Sequence, residues 1–159
     1  MAPFAKLVVA ATTVLAVSVL PTPSPAIAAG DSSAITHLMF DIDIAAFVAA
    51  RSANAPASVD WSSDGCSTPL PAGLGDTGRS YNFRAACWRH DFGYRNYKAL
   101  DREPGQRGRW WNATSRKRLD DVFLADMRAD CAPRPWTQRS TCRAWATTYY
   151  RAVRVAGGP

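Results

Sequence analysis

His90 lies in the stretch CWRHDFGYRNY, Cys87 to Tyr97, and is one of only two histidines in the chain. An imidazole changes charge near neutrality, so a histidine with a carboxylate partner suits general-base work, and several histidines together suit a metal. With His37 and His90 alone, a multi-histidine metal site cannot be assembled, although Asp91 completes a His-Asp pair. The sequence also has no G-x-S-x-G nucleophile elbow, no phosphate-cradling glycine loop and no H-E-x-x-H. Two readings of His90 remain: a base with an orienting carboxylate, or a polar residue at the margin of an ordinary helix.

Helical spacing puts Phe83, Cys87, His90, Tyr94 and Tyr97 on one stripe, which aims His90 at other protein. Asp91 is about 100° further round, at the edge of that stripe beside Cys87 and Tyr94. A base needs a partner to hold its tautomer, and the segment from Thr114 to Asp130 offers Asp120, Asp121, Asp126 and Asp130. Asp120 is in register with Phe123, Leu124 and Met127, an apolar stripe, whereas Asp121 neighbours Ala125 and Arg128. A carboxylate on a buried face needs a partner. That partner is His90 on an antiparallel neighbour, or else Asp120 sits at the helix margin paired with Arg116 or Lys117.

The elements that must position these residues are helical. Apolar residues recur at helical spacing over Ala34 to Ala53, and a second stripe of Phe40, Ile44 and Phe47 means burial on two sides, a break into two helices, or contact with lipid. A loop rich in Ser, Gly, Pro and Asp spans Asp60 to Ser80, and helical periodicity returns near Asn82. Glu103-Pro104-Gly105 turns the chain, a helix follows over Thr114 to Asp130, and Pro133 and Pro135 end it. The last helix is expected over Thr141 to Ala156, and no segment alternates convincingly enough for a strand.

Before all of this, Lys6, an apolar run from Leu7 to Leu20 and the small-residue site Ala26-Ile27-Ala28 make residues 1–28 an expected secretory leader. The apolar run is short for a membrane span of about 20 residues. Ala29 to Pro159 is then a single domain, able to bury roughly two-thirds of its unfolded surface. Removing Lys6 lowers the formal net charge of +6 by one. Such a basic exported chain is drawn to phospholipid headgroups, cell-wall polymers or nucleic acid, and the sign alone does not choose.

Four cysteines in an exported chain read as two disulfides, with three pairings possible. Chain order favours Cys66–Cys87 and Cys131–Cys142, and no C-x2-C pair suggests zinc. If Cys87 is tied to Cys66, Asp64 and Gly65 reach the helix turn of Asp91. Two carboxylates and loop carbonyls then converge, a donor set that suits calcium with its six to eight oxygen ligands at about 2.3–2.6 Å. Either aspartate alone would more often be a turn residue or cap.

In combination, DWSSDGC, CWRHDFGYRNYK, RLDDVFLADM and the closing CRAWATTYY resemble the secreted prokaryotic-type phospholipases A2 of bacteria and fungi. The resemblance covers about Val59 to the last helix; the first helix matches in kind only. It implies an all-α fold, a small helical bundle with antiparallel central helices carrying His90 and Asp120 and two disulfides. It implies calcium-dependent hydrolysis of the sn-2 ester of glycerophospholipids, with His90 as general base and Asp120 as its orienting partner. Asp64 and Asp91 would supply calcium carboxylates and Gly65 a carbonyl. The partner is then a phospholipid membrane or micelle surface, without nucleic acid, and the chain a monomer. Two features depart from the family pattern: the segment between Cys66 and Cys87 is long, and Gly65 replaces a bulkier residue, which tolerates a carbonyl ligand but loosens the loop.

Two other functions compete. A small basic nuclease would use His37 and His90 as acid and base and leave Asp64, Asp91 and Asp120 idle. A non-catalytic module would bind anionic membranes through basic and aromatic residues, among them Trp110-Trp111 flanked by Arg107, Arg109 and Arg116. Those tryptophans suit an interface, or else one packs in the core. Asn112-Ala113-Thr114 matches a glycosylation sequon, and His37 has no evident carboxylate pattern and reads as structural.

Overall fold

The computed structural model describes residues 29–66 and 81–158. The expected leader and most of the long segment between Cys66 and Cys87 lie outside the described residues. Five helices and no strand are present among the described residues: α1 Ala29–Phe40, α2 Ile44–Ser52, α3 Arg84–Arg102, α4 Ala113–Cys131 and α5 Trp136–Ala156. The all-α expectation holds.

The first expected helix breaks in two because Asp43 caps α2, accepting the Ala46 backbone N–H at 2.7 Å. Its two apolar stripes are thereby split between two short helices. The last helix starts at Trp136, five positions before the expected Thr141, with Pro135 as the residue before it. A proline that ends one helix starts the next equally well, because its missing N–H falls where no intrahelical bond is needed. Asn112, half of the expected sequon, is the N-cap of α4. Its Oδ1 accepts from the Thr114 and Ser115 N–H groups while the Ser115 hydroxyl accepts from the Asn112 N–H, a reciprocal capping box.

α3 is the central element and is buried on two faces. One face, with Phe83, Ala86 and Cys87, packs with Phe123 and Met127 of α4 and Ala146 and Tyr149 of α5. The other, with Phe92, Tyr97 and Leu100, packs with Ile35, Leu38 and Met39 of α1, Phe47 of α2, and Val59 and Trp61 of the following loop. Each large apolar side chain fully buried in these cores contributes about 1.5–3 kcal/mol. At the crossing of α3 with α1 and α4 stands Gly93, where a Cβ would lie 2.9 Å from Leu119 Cδ2 and 3.0 Å from Met39 Sδ. The contacts Gly93–Leu119, His90–Phe123 and Arg89–Asp126 run in opposite chain directions, so α3 and α4 are antiparallel. α5 is antiparallel to α4 in turn, since Cys131 joins Cys142 while Asp121 meets Tyr150 further along.

Both disulfides take the expected pairing, Cys66–Cys87 with Cα atoms 5.2 Å apart and Cys131–Cys142 with Cα atoms 5.7 Å apart. Trp110 and Trp111 are half-buried, not free at the surface. Their rings meet Tyr97 and Tyr94 edge-on at 5.7 and 4.8 Å, and both backbone N–H groups donate to Asp101 Oδ1 at 3.0 Å.

Candidate active site

His90 and Asp120 meet where α3 crosses α4. His90 Nε2 is 2.8 Å from Asp120 Oδ1, and Asp120 is fully buried. The alternative partners of Asp120 are engaged elsewhere: Lys117 pairs with Asp121 at 2.6 Å, and Arg116 donates to the Arg154 carbonyl at 3.2 Å. Two further donors hold the buried carboxylate. The Tyr94 hydroxyl donates to Oδ1 at 2.7 Å, and Arg154 Nη1 donates to Oδ2 at 2.7 Å. Burial by itself would raise the Asp120 carboxyl, but the bonds from His90, Arg154 and Tyr94 outweigh it and hold the group below its ordinary value. Tyr94 moves the other way: burial first, then its bond to Asp120, push its phenol well above the usual range.

Because Asp120 is ionised, His90 Nε2 carries the proton and donates it, which leaves Nδ1 as the basic nitrogen. The ring is wedged between Tyr94 and Phe123, with centroids 4.2 and 4.6 Å away, so its orientation is set by packing as well as by the hydrogen bond. His90 lines a cavity of about 170 Å³. Its other walls are Gly65 and Cys66 from the loop, Cys87, Asp91 and Tyr94 from α3, Phe123 from α4, and Val153, Ala156 and Gly157 from the end of α5. A larger hollow of about 370 Å³, between Ser32 and Trp110, has no histidine among its lining residues.

Asp91 lies one residue on, facing the loop. The Ser63 hydroxyl donates to its Oδ2 at 2.5 Å. Its carboxyl is raised, by burial first and also by the neighbouring charge of Asp64, against the lowering bond from Ser63. A half-buried carboxylate beside a second one is stabilised in its charged form by a nearby positive charge. The donor types also fit a hard cation: two carboxylates, and a Gly65 whose φ of +74° suits a residue without a side chain. Asp64 is the member that is not in the cavity lining. It is exposed and its Oδ1 accepts from Arg95 Nη2 at 2.9 Å. Among the described residues no three histidine, cysteine or acidic side chains cluster as a metal site, so such an ion would complete its shell with carbonyl, water or substrate oxygens.

Several residues that build this site carried no readable sequence signal. Arg154 looks in sequence like a solvated last-turn arginine. Asn96 is fully buried and clasps the loop: its Oδ1 accepts the Asp60 N–H at 2.9 Å, and its Nδ2 donates to the Asp60 and Phe92 carbonyls at 2.8 Å. Arg89, next to His90, is buried in a two-bond pair with Asp126 at 2.9 and 2.7 Å and reaches the Ile42 carbonyl at 2.8 Å. Neither Asn96 nor Arg89 falls on the one stripe that helical spacing picks out in this helix. His37 is exposed on α1, 3.5 Å from Asp41, and is not among the residues that line the cavity with His90.

Known proteins are similar to this sequence along most of the chain. The family model described as prokaryotic phospholipase A2 matches residues 35–157. A secretory phospholipase A2 of Arthroderma benhamiae is 38% identical over 149 residues, which cover 90% of this chain and 91% of that protein. A secretory phospholipase A2 of Beauveria bassiana is 35% identical over 120 residues, 76% of this chain and 55% of that protein. With the dyad, the loop and both disulfides inside the matched region, this chain belongs to the prokaryotic phospholipase A2 family.

Proposed function

We propose that this chain is a secreted phospholipase A2 that works as a monomer on phospholipid membranes or micelles, with no nucleic-acid partner, using calcium. It hydrolyses the sn-2 ester to a lysophospholipid and a free fatty acid. Residues 1–28 are its removed leader and residues 29–159 its single catalytic domain. The observation that carries the reading is the 2.8 Å bond between His90 Nε2 and the fully buried Asp120, in the wall of a cavity that also bears Asp91 and Gly65. The relatives' description as secretory phospholipases A2 supports it.

In this reading His90 Nδ1 takes a proton from a water as the water oxygen bonds to the sn-2 carbonyl carbon. Asp120 stabilises the positive ring that forms, and its bonds from Tyr94 and Arg154 keep its oxygens aimed while it does so. When the tetrahedral adduct collapses, the carbon–oxygen bond to glycerol breaks. The glycerol oxygen takes the proton back from His90. Phe123, Val153 and Ala156 line the cavity with apolar surface that keeps bulk water from the ring. The Asp64 and Asp91 carboxylates and the Gly65 carbonyl would hold calcium, which supplies fixed positive charge for the substrate phosphate and the developing oxyanion.

The test is fatty-acid release from vesicles of defined phospholipid labelled at sn-2, with calcium titrated against EDTA and His90→Asn alongside. Release should need calcium and fall by about a thousandfold or more in the variant. Turnover that ignores EDTA, or an active His90→Asn, refutes the reading.

A further inference from the structure

We propose that Arg154, on the last turn of α5, is a positioning residue for the hydrolysis, pinning Asp120 so that one of its oxygens always faces His90. The inference rests on His90 and Asp120 being the working pair, and it assigns a task to a residue two helices beyond the His-Asp motif.

A carboxylate can turn about its Cβ–Cγ bond, and two bonds on one oxygen do not stop it from tilting. Oδ1 of Asp120 already serves His90 and Tyr94. Oδ2 takes the Arg154 guanidinium at 2.7 Å, which sets the plane of the group from the opposite oxygen. Arg154 is also the cation in direct contact with this fully buried anion, while His90 becomes one only after it has taken its proton. The arginine is itself held from behind. Arg116, buried on α4, donates to the Arg154 carbonyl at 3.2 Å, satisfying one of the free carbonyls at the C-terminus of α5. α4 and α5 are thus clasped reciprocally, backbone to Arg116 and side chain to Asp120.

The same helix end shapes the cavity. Val153, Ala156 and Gly157 line it, and Arg154 does not, so Arg154 acts through Asp120 and not on substrate. A Cβ at Gly157 would lie 2.8 Å from the Tyr94 hydroxyl oxygen, so this turn also backs the second donor to Asp120. The last turn of α5 and the Gly157 after it therefore form a cavity wall, carry Arg154, and back Tyr94, the other support of the orienting carboxylate.

The experiment compares Arg154→Met, Arg154→Lys and the exposed-residue control Arg151→Met in the full chain, measuring kcat and KM for sn-2 release. Melting temperature and calorimetric calcium affinity are measured on the same samples. Arg154→Met should lower kcat about ten- to a hundredfold, as expected for one charge-assisted bond, with KM and calcium affinity within twofold of the parent. Arg154→Lys should keep the fold and lose several-fold in kcat, because an ammonium lacks the planar fork. Guanidinium ion added to Arg154→Gly should restore part of kcat, and Arg151→Met should match the parent. A folded Arg154→Met with parental kcat overturns the proposal, as does a loss confined to KM or to melting temperature. If the Met variant does not fold, the Lys variant decides: parental kcat there overturns it. His90→Asn run in parallel separates the two ideas, since activity in that variant refutes the His90–Asp120 reading itself.

Discussion

At the scale of single residues, Asp120 concentrates the electrostatics of this protein. It is a fully buried anion with three donors from two helices, His90 and Tyr94 from α3 and Arg154 from α5, on a carboxylate carried by α4. Its lowered carboxyl has a consequence for acid stability, with a definite sign. In the unfolded chain an aspartate titrates at about 3.9, above the folded value, so the unfolded state binds the proton first as pH falls. The stabilisation is therefore full above about pH 4 and is lost as pH falls through the lower folded value. Urea midpoints measured from pH 6 down to pH 2.5 should show the parent's advantage over Asp120→Asn shrinking only below about pH 4. An advantage that does not change with pH would show that Asp120 is not held as an anion. The sequence placed Asp120 on the inner face of its helix and offered His90 as its partner, with Arg116 or Lys117 as the alternative. It did not find Arg154, because a last-turn arginine on a basic helix has the same pattern whether it is solvated or turned inward.

At the scale of elements, the site depends on a loop with little regular structure being fixed to a rigid helix. Two devices do this for the segment that carries Asp64 and Gly65. One is the Cys66–Cys87 disulfide, and the other is Asn96, whose side chain makes three hydrogen bonds, two of them to the Asp60 backbone. The Trp61 indole adds a bond to the Pro56 carbonyl at 2.8 Å and packs on Phe92 at 4.8 Å between ring centroids. Asn96→Ala leaves the Asp60 backbone N–H and carbonyl without their side-chain partner and removes a bond to the Phe92 carbonyl. It should cost about 2–3 kcal/mol in urea unfolding and weaken calcium binding in a calorimetric titration, with His90 untouched. Unchanged calcium affinity in a destabilised variant would mean that the disulfide alone sets the loop. The helices themselves were largely legible, since α3 and α4 match the expected segments within a residue or two. The misplaced start of α5 and the split of α1 from α2 came from local signals, Pro135 and Asp43, that read as breaks and as starts with equal ease.

At the scale of the whole molecule, the chain is basic, with a formal net charge of +6, and its described helices leave Trp136 and Val155 strongly exposed. These two are at opposite ends of α5, and Val155 is the one that neighbours the cavity-lining turn. The tryptophan pair, which in sequence suited either an interface or partial core packing, is half-buried against Tyr94 and Tyr97, so in the proposed function attraction to lipid rests on charge more than on those indoles. Exposed charges are screened over about 8 Å at physiological ionic strength. Sedimentation with vesicles should accordingly show tighter binding to anionic than to zwitterionic lipid, weakening steeply between low and about 0.5 M salt. Binding that is indifferent to salt and headgroup charge would assign the attraction to apolar contact.

The sequence by itself determined the helical class, favoured by chain order the disulfide pairing that the structure shows, and put His90 and Asp91 on adjoining parts of one helix surface. These follow from local quantities: periodicity, spacing and the 100° step between adjacent helical residues. Tertiary structure decided which partners the buried groups found. That Asp120 takes Arg154, that Asn96 holds the Asp60 backbone, that Arg89 pairs with Asp126, and that His37 stays exposed outside the cavity lining are all outcomes of how the elements pack. A single sequence encodes the face a residue occupies but not which distant residue meets it, because that depends on how three antiparallel helices pack together.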